Sequence, residues 1–189
     1  MYTFITGPST VGKTTYARKH YPDIPIIDSD EVWKQLVDTL QTYDRTTILS
    51  HLFHTIHEQA TAYPDAIVVH TDATPLLTHF NRSDVTIVLV VTPLKRLTRN
   101  LVARKNRPTH QVLGHTHTGY LHYFEPTDSN VHTGGSFYVK RSDVEALPAH
   151  TKKDARAIRT FIEAVFKPKR KSARLQPREN IEFDVFVIV

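Results

Sequence analysis

Apolar residues along this chain fall into two patterns, and the alternation between them predicts the fold. Ala66–His70 and Val85–Val91 are short continuous apolar runs, while the first five residues are β-prone, Ile24–Ile27 reads as a short buried strand and Ile181–Val189 as a final strand. Unbroken apolarity over four to eight residues is what strands covered on both faces show, as in a parallel sheet. Between them, apolar residues recur at helical spacing. Val32, Trp33, Leu36, Val37 and Leu40 form one such stripe, and Leu49, Leu52, Phe53, Ile56 and Ala60 another, with a polar break around Tyr43-Asp44. Leu94, Leu97 and Leu101 follow Pro93, and Ala155, Ile158, Ile162 and Val165 mark a helix over about Lys152–Phe166. A further helix is expected from about Lys13 to Lys19, ended by Tyr21-Pro22, since the residue before proline is disfavoured in helical conformation. Strands alternating with helices predict a doubly wound α/β fold, a parallel sheet with helices on both faces.

The pattern fails between residues 106 and 150. That stretch is rich in His, Thr, Gly and Pro, with Tyr120, Tyr123, Phe124, Phe137 and Tyr138 interspersed, and reads as a loop or substrate-facing insertion after the fourth strand. No internal repeat is visible, and 189 residues are expected to form a single domain, 1–189.

The first strand runs into Gly7-Pro8-Ser9-Thr10-Val11-Gly12-Lys13-Thr14, a match to G-x-x-x-x-G-K-[ST] in its proper setting between strand and helix. Gly7 and Gly12 let backbone N–H groups turn inward around a phosphate without Cβ collisions, and the helix start adds its positive dipole end. Lys13 is placed to reach the β- and γ-phosphates of ATP, and the Thr14 hydroxyl to ligate Mg²⁺. Ser9, Thr10, Val11 and Thr15 complete the expected ATP-binding set. Thr151-Lys152-Lys153-Asp154 matches the guanine-reading [NT]KxD motif of GTPases on its face. It lacks the preceding core strand, however, and the chain has no D-x-x-G switch after a strand, so a helix start with Thr151 as N-cap is the better reading.

Three further places carry chemistry. Asp28-Ser29-Asp30 closes the second strand, where the carboxyl ends of parallel strands line the ligand crevice. One carboxylate there can take the proton of an attacking hydroxyl and another can help hold the metal, although Asp30 also suits a helix N-cap. Asp72, just past the third strand, stands where a carboxylate orients the Mg²⁺ shell, or alternatively forms a turn before Thr74-Pro75. Among the basic residues after Val91, Arg104 and Arg107 are the candidates for arginines that close over the transferred phosphoryl group. His51, His54 and His57, and His110, His115, His117 and His122, form loose histidine groups that read better as surface than as metal ligands.

Gly7–Thr14, Asp28-Ser29-Asp30, His70-Thr71-Asp72, and Val90-Val91-Thr92-Pro93 followed by Leu97, Asn100 and Arg104 resemble the P-loop kinases of the polynucleotide 5′-kinase type. The resemblance covers about residues 1–113. It implies a P-loop kinase-like fold in which Lys13 and Thr14 hold ATP and Mg²⁺. It further implies that Asp30 activates the acceptor hydroxyl, Asp72 supports the site and Arg104 serves as the lid arginine. Kinases of the phage end-repair type carry an arginine three residues beyond the catalytic Asp, where this chain has Trp33. An aromatic residue there can stack on a base or sit in the core.

Composition narrows the class. With no Cys, disulfide frameworks, zinc–thiolate sites and cysteine nucleophiles are excluded, and a reducing cytoplasm is the expected location. No apolar run approaches the roughly 18 residues of a membrane span, and the first residues lack the pattern of a secretory signal. The net charge is +5, yet six basic residues (Lys167, Lys169, Arg170, Lys171, Arg174, Arg178) lie within 167–178 with no acid among them. Without those six, 18 basic residues face 19 acidic ones, so the excess is local. A basic segment before a final strand suits a polyanion. The expectation is therefore a Mg²⁺- and ATP-dependent kinase that phosphorylates DNA or RNA, at a 5′-hydroxyl end or a hydroxymethyl pyrimidine. The alternatives are a kinase for a small molecule or nucleoside, and an NTPase with no acceptor.

Overall fold

The computed structural model describes residues 1–8, 10–105, 144–165 and 184–189. The strands are β1 (Tyr2–Thr6), β2 (Ile26–Asp28), β3 (Ile67–Val69), β4 (Val85–Val91) and β5 (Val185–Ile188). The helices are α1 (Lys13–His20), α2 (Ser29–Leu40), α3 (Arg45–Thr61), α4 (Leu94–Lys105) and α5 (Lys152–Val165). The strands form one sheet in the order β2-β3-β1-β4-β5. β1 pairs in parallel with both β3 and β4, and β2 pairs in parallel with β3. The β5 backbone joins β4 through Asp184 N to Ile87 O (3.0 Å) and Val189 N to Val91 O (2.9 Å), an advance in the same direction along both strands. This is the doubly wound α/β architecture expected from the apolar pattern, and the P-loop kinase-like fold that the resemblance implies. All of β3 and all but one residue of β4 are buried, as strands covered on both faces must be.

Helix boundaries follow local chemistry. α1 stops because Tyr21 N makes the last bond, to Ala17 O at 2.8 Å, and Pro22 has no N–H to continue. Asp44, in the polar break, caps α3 by accepting from Thr47 N at 2.8 Å. Thr151 and Asp154 bond each other's backbone N–H (3.1 and 3.0 Å), a reciprocal capping box that opens α5. This is the helix start expected for the Thr-Lys-Lys-Asp sequence. The N-cap of α2 is Asp28, not Asp30: Asp28 Oδ1 accepts from Asp30 N at 3.0 Å. Asp30 therefore stands in the first turn of α2.

Contacts among the described residues cluster into two units. One holds residues 1–7, 13–89 and 184–185. Its core is Phe4, Ile5, Ile48, Ile56, Ile67, Leu76 and Ile87, all essentially inaccessible. Phe80 meets Tyr2 and Phe4 edge-on, each at 5.0 Å, and so seats a segment of two single-turn helices (Leu76–Thr78, Arg82–Asp84). Asp184 Oδ2 accepts from Ile87 N at 2.7 Å and from Arg82 Nη2 at 3.0 Å, tying the start of β5 to β4. The other unit holds residues 8, 10–12, 90–105, 144–165 and 186–189. There α4 packs against α5, buried Phe161 meets Phe186 edge-on at 6.2 Å, and buried Thr92 donates from Oγ1 to Val189 O at 2.8 Å. The insertion expected over 106–150 falls almost wholly outside the described residues, as does the basic segment 167–178.

Candidate active site

Parallel pairing brings the carboxyl ends of three strands together. Asp28 is in register with Val69, and Val69 with Ile5, so one row of the sheet joins the last residues of β2 and β3 to the penultimate residue of β1. Immediately beyond that row come Ser29-Asp30, His70-Thr71-Asp72 and Thr6-Gly7. The row is locked by Thr6 Oγ1 donating to Thr71 O at 2.8 Å and by Gly7 N donating to Thr71 O at 3.4 Å. Chemistry-bearing residues far apart in sequence thus share one edge of the sheet because each follows a strand.

The P-loop backbone has the conformation its glycines predict. Gly7 has φ +141° and Gly12 φ +99°, values an L side chain rarely adopts. A Cβ built on Gly12 would meet nothing within 4 Å, so the loop leaves open space there. Lys13 Nζ donates to Gly7 O at 2.8 Å, which holds the ammonium at the mouth of the loop. Thr14 Oγ1 donates to Asp28 Oδ2 at 2.7 Å, linking the start of α1 to the end of β2. That half-buried hydroxyl–carboxylate pair is the hard-oxygen donor set Mg²⁺ takes, and the ion ordinarily needs only one or two protein oxygens beside phosphate and water. Among the described residues no group of three or more His, Cys, Asp and Glu side chains is arranged to hold a metal. The ammonium held on Gly7 O and the hydroxyl–carboxylate pair together fit a magnesium–nucleotide.

Asp30 is exposed, two residues past Asp28 on the first turn of α2. Asp72 is half-buried, and its Oδ1 accepts from Thr74 N at 2.9 Å, so it forms the turn that its sequence context allowed. The carboxylate bonded to Thr14 is that of Asp28. Thr15 is exposed on α1, Val11 is buried, and Thr10 has φ +66°. Arg104 lies in the last turn of α4, whereas Ser9 and Arg107 fall outside the described residues.

His70 is a site residue that the apolar pattern alone does not assign. It follows β3, its ring meets Phe53 edge-on at 5.6 Å, and its Nδ1 is buried without a hydrogen-bond partner. Burial pushes its pKa below the usual histidine value. Asp72 pulls the other way, Lys13 adds to the lowering, and Asp30 and Asp28 oppose it. Burial and four charged groups near this strand edge thus act on the imidazole together, and the net direction is downward. The available signal was a histidine ending a run of buried apolar residues, a place where another apolar residue costs less.

The sign of its linkage to stability follows. A histidine whose folded pKa lies below 6.5 binds its proton more readily unfolded, so its contribution is complete above that value and is lost as pH falls through the folded pKa. Without magnesium, acidification from about pH 7.5 to about pH 5.5 should lower the Tm of the wild type more than that of His70→Gln. Equal acid losses in thermal scans would show that His70 is not held neutral.

A family model described as an AAA domain matches residues 3–127, which takes in the P-loop, both carboxylate positions and α4. The chain belongs to this AAA-domain family. Comparison with curated proteins gives no match. Among solved structures, TT1252 from Thermus thermophilus is similar at 13% identity and a TM-score of 0.50, over 89% of this chain and 98% of that one. This likeness shows the fold of the AAA-domain chain. A shikimate kinase from Bacteroides thetaiotaomicron matches at 17% identity and a TM-score of 0.45, over 61% of this chain and 74% of that one. A gluconokinase from Sinorhizobium meliloti matches at 14% and 0.44, over 87% and 91%. The AAA-domain match covers nearly the span that resembles polynucleotide 5′-kinases and carries no indication of a nucleic-acid acceptor. No described helix is long and apolar enough to cross a membrane.

Proposed function

We propose that this AAA-domain chain is a cytoplasmic, Mg²⁺-dependent phosphotransferase that moves the γ-phosphoryl group of ATP to a hydroxyl of a small molecule. The observation that carries the reading is the 2.7 Å bond from Thr14 to Asp28, with Asp30 exposed two residues farther on. One short strand end thereby supplies an oxygen to the metal side of the P-loop and an accessible carboxylate beside it.

Magnesium, when bound, draws charge from the phosphate oxygens and fixes their orientation. Thr14 and Asp28 would hold it, and Asp72 is the further carboxylate we assign to its support. Lys13 exchanges Gly7 O for phosphate oxygens, which are stronger partners for an ammonium than a neutral carbonyl. Asp30 accepts the proton of the acceptor hydroxyl. The hydroxyl oxygen then bonds to the γ-phosphorus as the bond to the ADP oxygen breaks, and the proton remains on the carboxylate until solvent takes it. Arg104 and Arg107 are the cations we assign to the equatorial oxygens.

A small acceptor fits the charge at this edge better than a polyanion. Asp28, Asp30 and Asp72 follow the strand ends, and a phosphate backbone brought there beside ATP would meet carboxylates. The test is an initial-rate comparison at equal hydroxyl concentration: polyols, sugar acids and nucleosides against 5′-hydroxyl oligonucleotides and hydroxymethyluracil DNA. Transfer to small alcohols at least about tenfold faster supports the reading. Transfer confined to polynucleotides overturns it in favour of a nucleic-acid kinase.

A further inference from the structure

Among the described residues of the P-loop, Thr10 is the one non-glycine with a positive φ. Its φ of +66° lies in the left-handed region, where a β-branched residue is a genuine outlier. Its Oγ1 is buried and has no hydrogen-bond partner, so the side chain offers no compensating bond. Its carbonyl oxygen, however, accepts a hydrogen bond from Asn100 Nδ2 at 3.1 Å. Asn100 stands on α4, ninety positions along the chain, and is half-buried. The planar amide can hold that carbonyl only while the Thr10–Val11 peptide keeps its present tilt. Left alone, Thr10 would relax toward negative φ and rotate the peptide whose N–H belongs to Val11. The N–H groups of this stretch are what a P-loop aims at phosphate.

We propose that Asn100 is a positioning residue that clamps the Thr10 carbonyl and so preorganises the P-loop for nucleotide. The inference rests on the nucleotide-binding part of the function proposed above and on no assumption about the acceptor. Asn100 touches no reacting atom; it acts by raising the fraction of unliganded molecules whose loop is ready to bind, and apparent affinity scales with that fraction. A threonine at φ +66° needs the clamp. A glycine at the same place does not, because it adopts positive φ without steric cost.

The test measures MgADP affinity by calorimetry, together with hydrogen exchange of the peptide spanning residues 7–14, in four proteins: wild type, Asn100→Ala, Thr10→Gly and the double variant. Asn100→Ala should weaken MgADP by about five- to tenfold, the size of one hydrogen bond, and speed loop exchange in the unliganded protein. The Tm of the unliganded protein should stay within a few degrees of wild type. In the Thr10→Gly background the same substitution should cost less than about twofold. Asn100→Asp, which keeps the shape but loses the donor, should behave as Asn100→Ala does. An equal penalty in both backgrounds, or unchanged affinity and exchange in Asn100→Ala, overturns the clamp. Wild-type protein that fails to bind MgADP would overturn the functional reading itself, an outcome separate from either.

Discussion

Lys13→Ala should lower kcat for phosphoryl transfer by about two to three orders of magnitude, with the fold intact. The side chain is placed for this effect. Its ammonium rests on Gly7 O at 2.8 Å, at the mouth of a loop whose Gly12 faces open space. A preorganised cation against the charge that develops on the transferred phosphoryl group is worth several kcal/mol in a site from which water is excluded. The same substitution removes a single hydrogen bond from the unliganded chain, worth about 1 kcal/mol, so Tm should fall by roughly 2–4 °C or less. Steady-state rates with saturating MgATP, paired with thermal scans, check both halves. A kcat within about threefold of wild type would remove the P-loop lysine from the chemistry.

Asp30→Asn should reduce transfer by about 10²- to 10⁴-fold, the usual worth of a general base, while changing MgADP affinity by less than about twofold. The separation is expected because the structural tasks at this strand end fall to its neighbour. Asp28 caps α2 and bonds Thr14, and Asp30 stands exposed in the first turn. Asp28→Ala should behave differently. It deletes the N-cap, worth about 1 kcal/mol of stability, and the partner of the metal-side hydroxyl, so stability and magnesium dependence should both suffer. Calorimetric titration beside rate measurements separates the two carboxylates. A normal kcat in Asp30→Asn would assign the base elsewhere, whereas lost nucleotide binding in that variant would make Asp30 part of the nucleotide site.

Most of the framework was legible because its signals are local or periodic. β4 and α2 are found where continuous apolarity and 3.6-residue spacing place them. Single-turn elements give no period to read, which is why the segment from Leu76 to Asp84 went unassigned, although Leu76 and Phe80 are core residues. At the site, the P-loop and the carboxylates were visible as residue types at strand ends. The division of labour between Asp28 and Asp30 was not, because both suit a cap and both suit a base. Which one caps α2 depends on whether the helix begins at Ser29 or later, within the one- or two-residue uncertainty of any boundary. His70 was legible only as the end of a strand. Its burial depends on Phe53 of α3, a contact no local pattern encodes. The clamp on Thr10 depends on a pairing across ninety residues, equally beyond local reading.

The central claim is that the strand-end carboxylate beside this P-loop directs the phosphoryl group to a hydroxyl rather than to water. The direct measurement is the stoichiometry of one reaction: ADP formed, phosphoryl group recovered on a small hydroxyl acceptor, and inorganic phosphate released, all followed from labelled ATP with magnesium. The account predicts one phosphorylated acceptor per ADP, little free phosphate, and loss of the coupled product in Asp30→Asn. ADP accompanied by an equal amount of free phosphate, with no labelled acceptor and no dependence on Asp30, would contradict it and make the chain an NTPase.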